Sequence, residues 1–321
     1  MARRRRGRIL VAMAVAGALA AVGALFLWHR EQPFDRSFDS RVSTPAYAGD
    51  GPLVLYDEGH RNTHTATRGY KPFADLVRSD GYELRVGQTP ISKARLAGVS
   101  VLIVVCARGA NDANDTPAFS DAEIDVIEAW VRGGGSLLHV TDHWPYGTAA
   151  ESLPRRFGVE SGQGLVEDPE HHDPDRGESH LEFTRENGLL GEHPITRGRY
   201  AAERVSRVLT FTGQSLAAPE GATALLALSP AAVERPPTAP QVEKDGGDVR
   251  VSMEYGDPAP ARGRAQGIAM EVDRGRMVIL GDAGMLRAQV DSRGTRVGMN
   301  ASGFDNRQLA INIMHWLSRV L

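Results

Sequence analysis

The sequence predicts an α/β protein built on a mostly parallel sheet with helices on both faces. Three observations predict it. Short apolar runs bounded by turn residues recur along the chain, amphipathic stretches at helical spacing separate them, and one run, Val101–Val105, is apolar throughout. A strand that is apolar at every position is buried on both faces, which is the signature of a parallel sheet sandwiched between helices.

Taken in order, the chain opens with Arg3–Arg6 and Arg8, followed by Ile9–Trp28, twenty positions without a charge. That length of apolar helix spans the hydrocarbon core of a bilayer, and Trp28 stands where aromatic side chains favour the interface. Ala18-Leu19-Ala20 has the small-x-small form of a cleavage site. Leu25-Phe26-Leu27-Trp28 continues the apolar run beyond it, so an uncleaved anchor is the expectation. Residues 1–30 are therefore read as a cytoplasmic arginine cluster and a single transmembrane helix. The arginines stay in the cytoplasm and the remainder lies outside the cytoplasmic membrane. Residues 31–50, polar and carrying Pro33, Pro45 and Gly49, read as a linker.

Residues 51–321 form the main domain. Leu53–Tyr56 is a strand. Tyr70–Asp80 is a helix with Pro72 in its first turn, Phe73, Leu76 and Val77 on one face and Gly81 beyond its end. Tyr82–Val86 is a strand, Ser92–Leu96 a short helix and Val101–Val105 a strand. Ser120 and Glu123 make a capping box that opens a helix burying Ile124, Ile127 and Val131. Gly133-Gly134-Gly135 stops it before the strand Ser136–Val140. After Phe157 the rhythm breaks. Residues 158–265 read as a β-rich insertion holding an acidic tract and a proline-rich tract, with strand-like stretches at Val205–Phe211, Ala224–Leu228 and Val249–Tyr255, and a further one following at Gln266–Val272. Met277–Leu280 is again a buried strand. Asn306–Leu321 closes the chain as a helix whose Leu309, Ile313, Leu317 and Val320 face the sheet.

The 321 residues are 41% hydrophobic and 24% charged, with a formal charge of -3, an ordinary globular balance with no footprint for nucleic acid. A single cysteine, Cys106, excludes an intramolecular disulfide and any cysteine-based zinc site.

The segments "YDEGHRNTHTATRGYKPFADLVRSDGYEL", "GGGSLLHVTDHWP", "FTRENGLLGEHPITRGR", "VILGDAGMLRAQ" and "GMNASGFDNRQLAINIMHWLSRVL" together resemble an uncharacterised bacterial family with a class I glutamine-amidotransferase-like domain, related to ThuA-like and gliding-motility-type domains. The resemblance implies a flavodoxin-like three-layer sandwich and no particular reaction. In true amidotransferases a nucleophilic cysteine sits at the turn after the strand that corresponds to Ser136–Val140. Here that turn reads Thr141-Asp142-His143-Trp144. The position of the triad histidine reads Gly281-Asp282-Ala283-Gly284. Without a thiolate and its base, acyl transfer from glutamine has no nucleophile.

Ligands of open parallel sheets bind beyond the carboxyl ends of the strands. Topology brings Asp57, Glu58, His60, Asn62 and His64 to that edge after the first strand, and Arg108, Asn111 and Asp112 after the third. Asp142 and His143 follow the fourth, Asp282 and Gln289 follow the late strand, and Asn300, Asn306 and Arg307 precede the last helix. The expected ligand set is Glu58, His60, Asn62, His64, Asp142, His143, Asp282, Asn306 and Arg307. Two readings of this wall stand side by side. A His/carboxylate site from His60, His64, Asp142 and His143 suits zinc or manganese, with Asp57, Glu58 or Asp142 as the catalytic carboxylate of an envelope hydrolase. Alternatively, Asp57 and Glu58 accept backbone N–H bonds at a turn, and the crevice binds a small polar molecule or an envelope protein. The extracytoplasmic location and the ThuA likeness point to a glycan fragment as that molecule. A third reading is a scaffold that presents the β-rich insertion to a partner.

Overall fold

The computed structural model describes residues 34–110, 116–238, 241–245, 248–252, 255–291 and 294–321. Phe34–Leu321 forms one compact unit. The expected membrane span, Ile9–Trp28, lies outside the described residues, as do Asn111 and Asp112. Among the described residues no helix is long and apolar enough to cross a membrane.

Among the described residues nine strands make the main sheet: β1 (Leu53–Asp57), β2 (Glu83–Gly87), β3 (Val99–Val105), β4 (Ser136–Val140), β5 (Glu160–Ser161), β6 (Leu216–Ala217), β7 (Thr223–Ala227), β8 (Ala265–Val272) and β9 (Gly275–Leu280). Their spatial order is β2-β1-β3-β4-β9-β8-β6-β5, with β7 also paired to β8. The first five in that order run parallel, and β8 turns back antiparallel on β9. Helices α1 (Lys71–Ser79) and α3 (Asn306–Leu317) cover one face, and α2 (Asp121–Arg132) covers the other. The alternation of strand side chains decides which face each residue serves. Val54, Tyr56, Ile103 and Val140 pack with α1 and α3, while Leu55, Leu102, Val104 and Leu137 pack with α2. This is the expected mixed α/β architecture.

The helix signals hold locally. Pro72 stands in the first turn of α1, and Phe73, Leu76 and Val77 are buried. Gly81 follows at φ +93°, and a Cβ there would meet the Tyr47 carbonyl oxygen at 2.1 Å. Only glycine fits both the conformation and the contact. The Ser120 hydroxyl accepts from the Glu123 backbone, and the Glu123 carboxylate accepts from the Ser120 backbone.

Three expectations are corrected. Ser92–Leu96 makes a single hydrogen-bonded turn, with Arg95 and Leu96 both donating to the Ser92 carbonyl, and the turn does not continue as a helix. In Val205–Phe211 only Arg207–Leu209 is a strand, paired with Glu182–Thr184. The last helix ends at Leu317 and is buried nearly all round instead of along one stripe. Its outer side is covered because Asn312 donates to the Ile195 and Glu203 carbonyls, at 2.7 and 2.8 Å. Residues 158–265 thus reach both parts of the architecture, extending the main sheet through β5–β7 and clasping α3. Residues 34–50, read as a linker, lie against the domain. Val42 and Ala46 donate to the Ser79 and Asp80 side chains, and Asp35 donates to the Ala288 carbonyl.

Candidate functional site

The loops that leave β1, β3, β4 and β9 meet at one edge of the sheet. Thr63 N–H donates to the Cys106 carbonyl at 3.1 Å, and Arg108 N–H to the His60 carbonyl at 2.9 Å, joining the first and third loops. Ala283 N–H donates to the Asp142 carboxylate at 3.0 Å, joining the fourth and the last. The Tyr70 hydroxyl reaches from the turn preceding α1 to the Ala283 carbonyl at 2.8 Å.

Within this frame the sequence-selected residues divide into groups. Asp57 is fully buried and accepts from Gly59 N–H, Asn62 Nδ2 and His60 Nδ1. The other ring nitrogen of His60 lies 2.9 Å from Glu123 Oε1, and the ring packs 4.2 Å from Phe119. Burial opposes protonation of His60, yet the two carboxylates outweigh it and move its pKa upward. Asn62 also donates to the Val105 carbonyl, and Glu58 caps Ala66 N–H at 2.8 Å. These contacts clamp the β1 loop to β3 and α2. Glu123 was legible in the sequence as a capping residue; its bond to His60 was not, because it joins positions far apart in the chain.

The second group surrounds Asp142. Its oxygens accept from His143 and Ala283 N–H, and those of Asp282 accept from Phe211 N–H at 2.5 Å and Gly284 N–H at 2.6 Å. Burial raises both carboxyl pKa values, and the Asp142 charge raises that of Asp282 further. His143 Nδ1 lies 2.6 Å from the Tyr255 hydroxyl and 2.8 Å from the Trp144 carbonyl; burial lowers its pKa to about 4. His64 is buried, stacks on Tyr70 at 5.4 Å and has no hydrogen bond to Nδ1. Burial and then the Arg287 guanidinium hold its pKa down at about 3. Arg287, 9% exposed, was not selected from the sequence. Its charge lowers the pKa of His64, Tyr70, Cys106, Asp142 and Tyr146.

The third group is not at the edge's centre. Asn306 bonds both ways with the Leu209 backbone and donates to the Met285 carbonyl, tying the insertion to the β9 loop. Arg307 donates to the Arg41 carbonyl at 2.8 Å and so faces residues 34–50.

Among the described residues no group of three or more His, Cys, Asp or Glu side chains is disposed to hold a metal ion. Both ring nitrogens of His60 are engaged by carboxylates, Asp57 and Glu123. Cys106, at φ +42°, ends β3 with its thiol buried. Burial, then the Asp142 and Asp282 charges, push that thiol well above its ordinary pKa. A thiol held protonated is a poor nucleophile.

No family model matches the chain, and no curated protein matches it. Solved structures do. The mmIFT52 N-terminal domain is 15% identical, with 83% of this chain and 97% of that one covered at a TM-score of 0.59. A ThuA-like protein from Bacteroides uniformis is 14% identical, covering 88% and 95% at a TM-score of 0.38. A GMP-synthase-like protein from Thermoplasma acidophilum is 9% identical, covering 84% and 96% at 0.42. The first shares this chain's fold.

Proposed function

We propose that the chain is a membrane-anchored, extracytoplasmic domain with an amidotransferase-like fold that binds a small polar molecule, glycan-derived or otherwise, at the carboxyl edge of its parallel strands, and that it does not hydrolyse glutamine. One observation carries this reading. Four strand-end loops bring polar and ionisable side chains together at that edge, while the turn that would need a nucleophile presents Asp142, with both carboxylate oxygens held by backbone N–H groups. A carboxylate so placed holds the two loops together. It does not attack an amide, for lack of a thiolate and a base. The anchor is Ile9–Trp28 in the lipid bilayer, with Arg3–Arg6 on the cytoplasmic side.

Ammonia release from glutamine by the purified chain tests the chemistry. The expected rate equals that of the Cys106→Ala variant and of buffer. Release that exceeds both, and that disappears in Cys106→Ala, overturns the reading.

A further inference from the structure

The two ends of the main sheet differ. At one end β5 is two residues long, and its Glu160 carbonyl accepts from Arg264 at 2.9 Å. At the other, β2 runs for five residues with no proline and no bulge against β1. Glu83 N–H donates to the Pro52 carbonyl and Glu58 N–H donates to the Gly87 carbonyl, so residues 83, 85 and 87 turn their backbone groups inward. The N–H and C=O of Leu84 and Val86 then point outward, and among the described residues nothing pairs with them. Open edges of this kind are ordinarily blunted by lysine, proline or a bulge. β2 carries instead one charge of each sign. Glu83 and Arg85 are both exposed on the α2 side of the sheet, opposite Leu53 and Leu55, and they bond to each other at 2.7 Å. An exposed pair of that sort adds little to the stability of the single chain.

We propose that β2 is the contact edge of a twofold dimer, in which two copies of this chain pair their β2 strands antiparallel about Leu84 and continue the sheet from one copy into the other. A twofold contact uses the same edge on both copies and closes on itself. Charge sets the register. A twofold axis at Leu84 places Glu83 opposite the partner's Arg85, and Arg85 opposite the partner's Glu83. An axis at Arg85 would set two guanidinium groups together, and one at Glu83 two carboxylates. Opposite charges directly across a ladder favour pairing, and like charges oppose it. The backbone agrees with the Leu84 register: Leu84 exchanges both of its outward bonds with the partner's Leu84, and Val86 N–H reaches the partner's Tyr82 carbonyl. On the other side of the sheet this register sets Leu84 against Leu84, beside the core under α1. One side of the contact is therefore apolar and the other is charged and self-complementary.

The test uses the full 321-residue chain in detergent, with mass measured by light scattering over a concentration series. The wild type should dimerise. Glu83→Arg and Arg85→Glu each set like charges in both symmetry-related pairs, and each alone should weaken the dimer by about tenfold. Mixed together, the two variants should pair again, because one now carries two arginines and the other two glutamates. Both positions are exposed, so neither change disturbs the core. Cysteines read the register. Opposite residues of a non-hydrogen-bonded pair lie about 4.5 Å apart at Cα, within reach of a disulfide, whereas the two copies of residue 83 lie about 8 Å apart, beyond it. A mixture of Glu83→Cys and Arg85→Cys chains should cross-link faster than either alone, with the wild type, whose one cysteine is buried, as control. A monomer at every concentration overturns the proposal. So does a dimer that the single reversals leave intact, which places the contact elsewhere. Single variants that stay apart when mixed, or cross-linking no faster in the mixture than in one variant alone, overturn it as well.

Discussion

His60 holds two carboxylates at once, Asp57 at 2.8 Å and Glu123 at 2.9 Å, with little of its ring in contact with water. Removing it leaves the buried Asp57 only the Gly59 N–H and the Asn62 amide, so His60→Ala should lower stability by about 3 kcal/mol in urea unfolding, the scale of breaking one side of a buried pair. Its pKa in the folded state is raised above the ordinary imidazole value. The proton is therefore bound more tightly when folded. Its contribution is complete below the unfolded pKa of about 6.5 and fades as pH rises through the folded value. The stability gap between wild type and His60→Gln should shrink as pH rises above about 6.5 and through the raised folded value. A gap that widens with pH means the histidine is neutral in place. Sequence placed His60, His64 and Asp142 at one edge because strand ends are visible as boundaries of apolar runs. It did not show that Asp57 and His60 satisfy each other, since hydrogen-bond partners depend on rotamers and on residues from other loops. For the same reason Arg287 and Tyr146 escaped notice, although Arg287 lies within one of the segments that carry the resemblance.

Helix α2 links that residue to an element. Its capping box is the ordinary device for starting a helix, and Ser120→Ala should cost about 1 kcal/mol. Glu123 does more than cap, because Oε1 also accepts from Ile91 N–H at 2.9 Å and meets His60. Glu123→Ala should cost more than Ser120→Ala, and a double-mutant cycle with His60→Ala should give a coupling above about 0.5 kcal/mol. Additive costs would mean the His60 contact contributes nothing. At this scale the sequence was most legible in the parallel half. Strands β1, β3, β4 and β9 lie on mainly apolar stretches, and α1, α2 and α3 show apolar residues at helical spacing, with a capping box opening α2. It was least legible in residues 158–265, where most strands run to two or three residues, too short to display a period, and only a few reach five. The closing helix shows the middle case. Its element type was plain from spacing, whereas its burial on nearly every side depends on Asn312 meeting a segment from the insertion.

For the whole molecule, the membrane orientation is the proposal with the most direct experimental check. Replacing the five N-terminal arginines with glutamate should weaken or invert insertion, and two aspartates placed near Ala16 should release the chain from the membrane fraction. Protease added to spheroplasts should degrade residues 51–321 while a cytoplasmic control survives. Survival of both, with cleavage restored by detergent, reverses the orientation. The scaffold alternative separates here too: it requires that changes in Val205–Phe211 abolish function while crevice substitutions leave it intact. The pairing at the sheet's centre sets how such a chain can be made. β4 lies directly against β9, with Ser136 opposite Arg276, so one strand of the innermost pair is synthesised long after the other. Until β9 arrives, β4 presents an apolar edge with unpaired backbone groups, a template for pairing with another chain. Contacts so remote in sequence also form slowly. A chain threaded outward through a membrane would expose that edge for much of its transit, so nascent products stopped before Gly275 should aggregate or be degraded, whereas those extended past Leu280 need not.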